Sequence, residues 1–209
     1  NTLAGDTRFT CNGAFTADIE PADLLAQMIT SCGGLLWYSQ GQWKLRPAYY
    51  VAPTVSFDEG DFRGPINLST RHSRRDNFNS VTGIFSGAET NWQPTDYPPV
   101  TNAVFVSADG GDEKSIDLDL PFTDTSVEAR RIARIFLERN REQLSFTSRF
   151  SLKAFQVQVG DIVQITNSRF EWTNKEFEVT NWKFGIESDM SLYIDMTLRE
   201  ISSSVFDDI

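Results

Sequence analysis

The feature that most limits what this chain can become is a period-two alternation of apolar and polar residues running from Leu144 to Leu198. Leu144, Phe146, Ser148, Phe150 and Leu152 alternate with Ser145, Thr147, Arg149 and Ser151, the pattern of a strand with one buried face. Phe155, Val157 and Val159 lead into the turn Gly160-Asp161, and Val163 and Ile165 keep the same apolar parity beyond it. After a polar loop around Asn167-Ser168-Arg169, Phe177 and Val179 give way to Trp182, Phe184 and Ile186, a change of parity that a β-bulge produces. A hairpin at Glu187-Ser188-Asp189 follows, and Leu192, Ile194, Met196 and Leu198 alternate without a fault. Antiparallel strands with one wet and one dry face are expected to close into a small barrel or sandwich.

Upstream, residues Arg8 to Phe15 predict a short strand, with Asn12-Gly13 as a turn or bulge. A helix is expected from near Glu20, with Pro21 at its first position and Leu24, Leu25, Met28, Ile29 and Cys32 as its apolar stripe, stopped by Gly33-Gly34. Leu35 to Tyr38 and Trp43 to Arg46 flank Ser39-Gln40-Gly41-Gln42 as a hairpin. The expected fold class is therefore α+β: a small βαββ domain over 1–55, then an antiparallel β-barrel-like domain over 56–209 with one inserted helix near 126–141. That helix is capped within Asp124-Thr125-Ser126, and its dry face is Ala129, Ile132, Ala133, Phe136 and Leu137. Asn79 to Phe85 reads as a strand, Ala88 to Val100 as a long loop, and Val104 to Val106 as the approach to a polar hairpin tip at Asp109 to Glu113. On the strand beyond the tip Ile116, Leu118 and Leu120 face inward, with Asp117 and Asp119 on the opposite side.

Composition narrows the function. A formal charge of −10 and a pI near 4.6 argue against a surface that holds duplex DNA or an anionic membrane. No apolar run approaches the roughly 18–20 residues that cross a bilayer, so the chain is expected to be soluble. It opens at Asn1 in polar sequence, as expected of an internal piece of a longer polypeptide. Cys11 and Cys32 are expected to be buried reduced thiols, and a single histidine, His72, argues against the usual zinc centre. His72 has no Gly-x-Ser-x-Gly elbow to serve, Asp109 to Glu113 lacks calcium-loop spacing, and no Walker loop or dinucleotide fingerprint occurs. No catalytic residue, cofactor or metal is expected, and the chain is read as a non-enzyme.

Several residues keep a second reading. Asp117 and Asp119, or Asp109 and Asp112, are the acidic pairs a cell-wall glycan hydrolase would use; on a strand the first pair would sit roughly 6–7 Å apart. Trp92 and Tyr97 are either loop aromatics packed on their own domain or candidates for a glycan- or protein-binding platform. The basic run Arg71 to Arg75 is either a solvated sheet edge or a site for a phosphate or acidic partner. On the predicted helix Arg130, Arg131, Arg134, Arg139 and Arg141 either pair with Glu128, Glu138 and Glu142 across turns or dock onto an acidic neighbouring subunit.

Taken in order, the pieces resemble a known family. They are the βαββ opening with Gly33-Gly34 and its aromatic hairpin, Asn79-Ser80-Val81 entering a strand, the Trp92 to Pro99 loop, and the arginine-rich helix Glu128 to Arg141. Val159-Gly160-Asp161-Ile162-Val163 before Phe177-Glu178-Val179, and Leu198-Arg199-Glu200 before Val205-Phe206-Asp207, complete the series. The chain is similar to the central region of phage tail-tip and tail-hub proteins, the lambda-type tail tip protein and the baseplate hubs of siphophages among them. The resemblance implies a homotrimeric hub whose β-barrel domains form a ring of pseudo-sixfold symmetry, with tail tube and tail tip proteins as partners. It implies residence in the virion, with assembly in the bacterial host cytoplasm, and DNA passing without specific binding. Under it Arg130, Arg131, Arg134, Trp92 and Tyr97 are candidate subunit-interface residues, and Asp117 and Asp119 are candidate channel-lining residues.

Overall fold

The computed structural model describes residues 7–39, 41–70, 77–187 and 189–207; the basic run Arg71 to Arg75, with His72, lies outside them. In chain order, helix α1 (Pro21–Thr30) is followed by strands β1 (Leu35–Ser39), β2 (Gln42–Arg46), β3 (Val55–Phe57) and β4 (Asn67–Ser69). Next come β5 (Ser80–Thr82), β6 (Ile84–Phe85), β7 (Thr95–Asp96), β8 (Val100–Thr101), helix α2 (Ala103–Ala108) and β9 (Ser115–Asp117). Helix α3 (Ser126–Arg141) precedes β10 (Ser145–Phe150), β11 (Ile162–Asn167), β12 (Trp172–Ile186) and β13 (Leu192–Glu200). The mixture is α+β.

These elements gather into two compact units, each assembled from separated stretches: Tyr49–Ser73 with Glu142–Ser204, and Asn1–Ala48 with Arg74–Arg141 and Val205–Ile209. This departs from a consecutive division at 55/56. Helix α3 belongs to the unit that contains the N-terminal elements, not to the β-rich one.

The β-rich unit is one six-stranded sheet in the order β3-β11-β12-β13-β10-β4. Alternation builds it: Phe146 and Phe150 on β10, Val163 and Ile165 on β11, Phe177 and Val179 on β12, and Ile194, Met196 and Leu198 on β13 all enter one core. Burial of each such side chain contributes on the order of 1.5–3 kcal/mol. The parity change in β12 is a register shift between Val179 and Asn181 against β13, the bulge that the sequence predicts. Two expectations fail. Leu152 and Phe155 leave the strand, because Leu152–Gln156 forms a 3-10 turn and both side chains are exposed. The sheet also stays open, with β3 and β4 as its edges. In the chain between them Asp58 and Asp61 cap a tight turn over Glu59–Asp61, and among the described residues no strand joins the two edges.

In the other unit α3 packs Ala129, Ile132, Ala133 and Leu137 against Phe78, Val81, Phe85, Tyr97 and Leu120. Ile135 is buried where Phe136 was expected to be; Phe136 is exposed and stacks on Phe78 at 5.2 Å. Thr125 caps the helix, its Oγ1 accepting from the Glu128 N–H at 3.2 Å. Beneath it the sheet β8-β5-β9 and the pair β6-β7 are divided at Gly83. Gly83 has φ +153°, and a Cβ there would meet the Leu118 carbonyl oxygen at 2.1 Å, so only glycine admits this approach. Residues 103–108 form α2, not a strand: the Asn102 side chain accepts from the Val104 N–H at 3.0 Å and caps a helix on a β-prone run. Residues 8–15 form no strand; Asn12 donates its N–H to the Phe122 carbonyl at 2.9 Å instead. Cys11 is exposed and Cys32 only partly buried, because α1 and its surroundings bury little.

Candidate interaction surfaces

Two hairpins, one in each unit, expose apolar faces. In β1–β2 the pairs Leu36↔Leu45 and Tyr38↔Trp43 share one face. A two-stranded ribbon can bury one side at most. Trp43, Tyr38 and Leu45 are 68%, 61% and 57% exposed, with the Tyr38 and Trp43 rings in edge contact at 5.3 Å. In β12–β13 the strands outrun their neighbours: β10 stops pairing at Phe150↔Ile194, while β12 and β13 continue to Ile186↔Leu192. The core face therefore runs out past the core. Ile186 and Leu192 are 57% and 42% exposed, and Phe155, 64% exposed, lies edge-on to Phe184 at 6.2 Å. On the other side of this arm the Tyr193 ring covers Gly185, and the Arg149 guanidinium lies 3.7 Å above Tyr193 while pairing with Asp195 and Glu187.

The helix-bearing unit carries two half-buried polar networks. Asp109 receives Arg141 Nη1 at 3.0 Å and Nη2 at 2.5 Å, and Asn79 Nδ2 at 2.9 Å. The Arg141 hydrogen bonds hold the Asp109 carboxyl down to about 2, with Asn79 and the Arg141 charge adding to them against burial. Asn79, fully buried, also donates to the Asp112 carbonyl and accepts from the Lys114 N–H. Asp109 is thereby tied into a structural clasp. In the second network Thr10 Oγ1 lies 3.0 Å from Asp124 and 2.8 Å from Glu128. One hydroxyl proton cannot serve two carboxylates, and burial pushes the Glu128 carboxyl up, with Asp124 adding to the shift.

The residues singled out by sequence separate. Tyr97 is not a surface platform: it is buried, and its hydroxyl donates within reach of the Thr82 and Leu118 carbonyls at 2.9 and 3.0 Å. Burial, then Asp119 and Asp117, hold its hydroxyl well above the ordinary tyrosine range. Trp92 is exposed, in a left-handed backbone conformation with φ 60°. Asp117 and Asp119 are exposed, and Asp117 accepts from Thr82 Oγ1 at 2.6 Å. Arg131 donates to the Arg8 carbonyl at 2.8 Å, and Arg130 and Arg134 are partly buried on α3. Glu128 and Glu138, expected across-turn partners, instead meet Thr10 and Asn102. The exposed hairpin faces escaped the sequence reading. Their signals were apolar residues on both parities of Leu35 to Tyr38, and an alternation longer in β12 and β13 than in β10. Among the described residues no helix is long and apolar enough to cross a membrane.

The same fold occurs in solved structures of tail proteins. The "Virion of native gene transfer agent (GTA) particle" contains a chain matched with TM-score 0.69 at 13% identity, over 98% of this chain and 46% of that one. The tail protein from Neisseria meningitidis MC58 matches with TM-score 0.62 at 14% identity, over 91% of this chain and 59% of that one. The prophage MuSo2 43 kDa tail protein from Shewanella oneidensis matches with TM-score 0.55 at 15% identity, over 93% and 55%. The chain thus spans about half the length of these proteins. No curated protein matches significantly. Residues 20–182 match the model of the family described as "Putative phage tail protein". The chain belongs to that family of phage tail proteins, as its resemblance led us to expect.

Proposed function

We propose that this tail protein builds a hub at the distal end of the tail tube, a tail-tip or baseplate ring of three copies that attaches to the host and lets DNA pass. Its work is mechanical rather than chemical. The observation that carries this reading is the pair of exposed apolar hairpin faces in a chain of the phage tail family, since large apolar patches on a folded surface mark protein interfaces. The gene transfer agent likeness supports a place in the particle itself, with other tail proteins as neighbours. Exposed Trp92, and Arg130 and Arg134 on α3, are proposed as further interface residues. Asp117 and Asp119 are proposed to line the channel, where negative charge repels DNA phosphates and lets the genome slide. Native mass measurement of the full-length protein with its tail partners tests the reading: trimers are expected, and monomers persisting in that mixture would overturn it. A second reading, a glycan-binding module, rests on exposed Trp92 alone; glycan-array binding lost in Trp92→Ala would favour it.

A further inference from the structure

We infer that Asn12-Gly13 is a site of spontaneous modification: the Asn12 amide is lost as ammonia, and the carboxylate left in its place unfastens segment 8–13 from the head of helix α3. The inference goes beyond the mechanical reading and does not depend on it.

Of the asparagines in the chain only Asn12 precedes glycine. An asparagine amide is attacked by the backbone nitrogen of the next residue, and glycine is the fastest such partner, because no side chain shields its nitrogen and its backbone turns freely into the ring-closing conformation. Asn12 and Gly13 are both exposed, in a stretch with neither helix nor strand. Among the described residues nothing accepts the Gly13 N–H. Asn79 and Asn167, which precede serine, are buried. Packing also keeps the glycine in place: a Cβ at position 13 would meet the buried Phe122 ring at 2.6 Å.

The reaction consumes only water. The Gly13 nitrogen bonds to Asn12 Cγ as the Cγ–Nδ2 bond breaks, and the proton given up by the Gly13 nitrogen leaves with ammonia. Water then opens the cyclic imide at either carbonyl, giving an aspartyl residue or an isoaspartyl residue with one extra methylene in the main chain. Nothing is oxidised or reduced. The bond that holds the amide back, from Asn12 Nδ2 to Asp124 at 2.7 Å, lies at the surface, where water replaces it at little cost.

The same bond gives the reaction its consequence. Segment 8–13 is held by the Asn12 N–H on the Phe122 carbonyl, by Arg131 on the Arg8 carbonyl, and by Thr10 and Asn12 on Asp124 and Glu128. Asp124 and Glu128 already share the single Thr10 hydroxyl proton, and Glu128 Oε1 is buried without a partner. Deamidation removes an amide donor from Asp124 and sets a third carboxylate beside the two. Like charges repel, and the isoaspartyl form also shifts the backbone whose N–H reaches Phe122.

The test incubates the full-length protein in mildly alkaline buffer, with peptide mass mapping to locate each converted asparagine and hydrogen exchange to follow residues 8–13. Asn12 is expected to convert first, into aspartyl and isoaspartyl forms, and the converted protein to exchange in this segment about tenfold faster or more. Asn12→Gln, which keeps an amide but closes a ring far more slowly, is expected to stay unconverted. Asn12→Asp is expected to show the fast exchange without incubation, which separates the new charge from other effects of ageing. If Asn12 stays intact, whether or not other asparagines convert, the site is overturned. If Asn12 converts and exchange is unchanged, or if Asn12→Asp exchanges like the wild type, the unfastening is overturned; the ring reading stands in every case.

Discussion

In the β-rich unit Phe146, Phe177, Ile194 and Leu198 are buried because every second residue of a strand faces the same way. In the helix-bearing unit Tyr97, Asn79 and Arg141 hold their places through a few specific hydrogen bonds to residues 15 to 63 positions distant. The first interior is redundant, with many interchangeable apolar contacts. The second adds to its apolar core a few polar and backbone fits that depend on one geometry. Damage to the first should scale with the volume removed, and damage to the second with the geometry lost.

Changes at four positions would break or sharpen that contrast. Phe177→Ala removes a ring in contact with Phe146 and Trp172, and is expected to cost about 3–5 kcal/mol, read from the shift in denaturant midpoint. Phe177→Leu should cost much less, since a redundant core repacks. Gly83→Ala adds one methyl group, yet is expected to cost roughly 3 kcal/mol, because it forces both the backbone and the Leu118 carbonyl to move. A near-neutral result would mean that this unit yields as readily as the other.

Arg141→Ala strips the clasp from Asp109 and from the Phe78 carbonyl, with an expected cost of about 2 kcal/mol at neutral pH. The sign of its pH dependence follows from the lowered Asp109 value. The carboxylate's contribution is complete above its ordinary value of about 3.9 and is lost as pH falls through about 2. Midpoints of wild type and variant, compared from neutrality downward, should therefore converge only at that acid extreme; convergence already near pH 5 would dismiss the clasp. The smallest effect has the opposite sign. Burial raises the Glu128 carboxyl, so the ionised form is penalised at neutral pH and the penalty vanishes below the ordinary glutamate range. Glu128→Gln should raise Tm by about 1–3 °C at neutral pH and leave it unchanged in acid.

Much of the fold was legible in the residues themselves. Pro21 and Thr125 at helix starts, the stripe Ala129, Ile132, Ala133 and Leu137, the bulge between Val179 and Trp182, and the Glu187 hairpin are local signals with local causes. The candidate interface was hardly legible. Tyr97 stayed open between a binding platform and a loop aromatic packed on its own domain, because its partners, the Thr82 and Leu118 carbonyls, are brought to it by chain folding. Ile186 and Leu192 were read as core, since alternation tells which way a side chain points and not whether a third strand lies beside it.

The sequence by itself determined where helices α1 and α3 and the strands of the alternating second half form, the direction their side chains take from the backbone, and the family likeness carried by their order. The tertiary structure alone decided that the units interleave along the chain, that the six-stranded sheet stays open, and that two apolar hairpin faces reach solvent. The physical reason is one of range. Periodicity and capping are settled within a turn or two of backbone, whereas burial depends on which distant strand ends first.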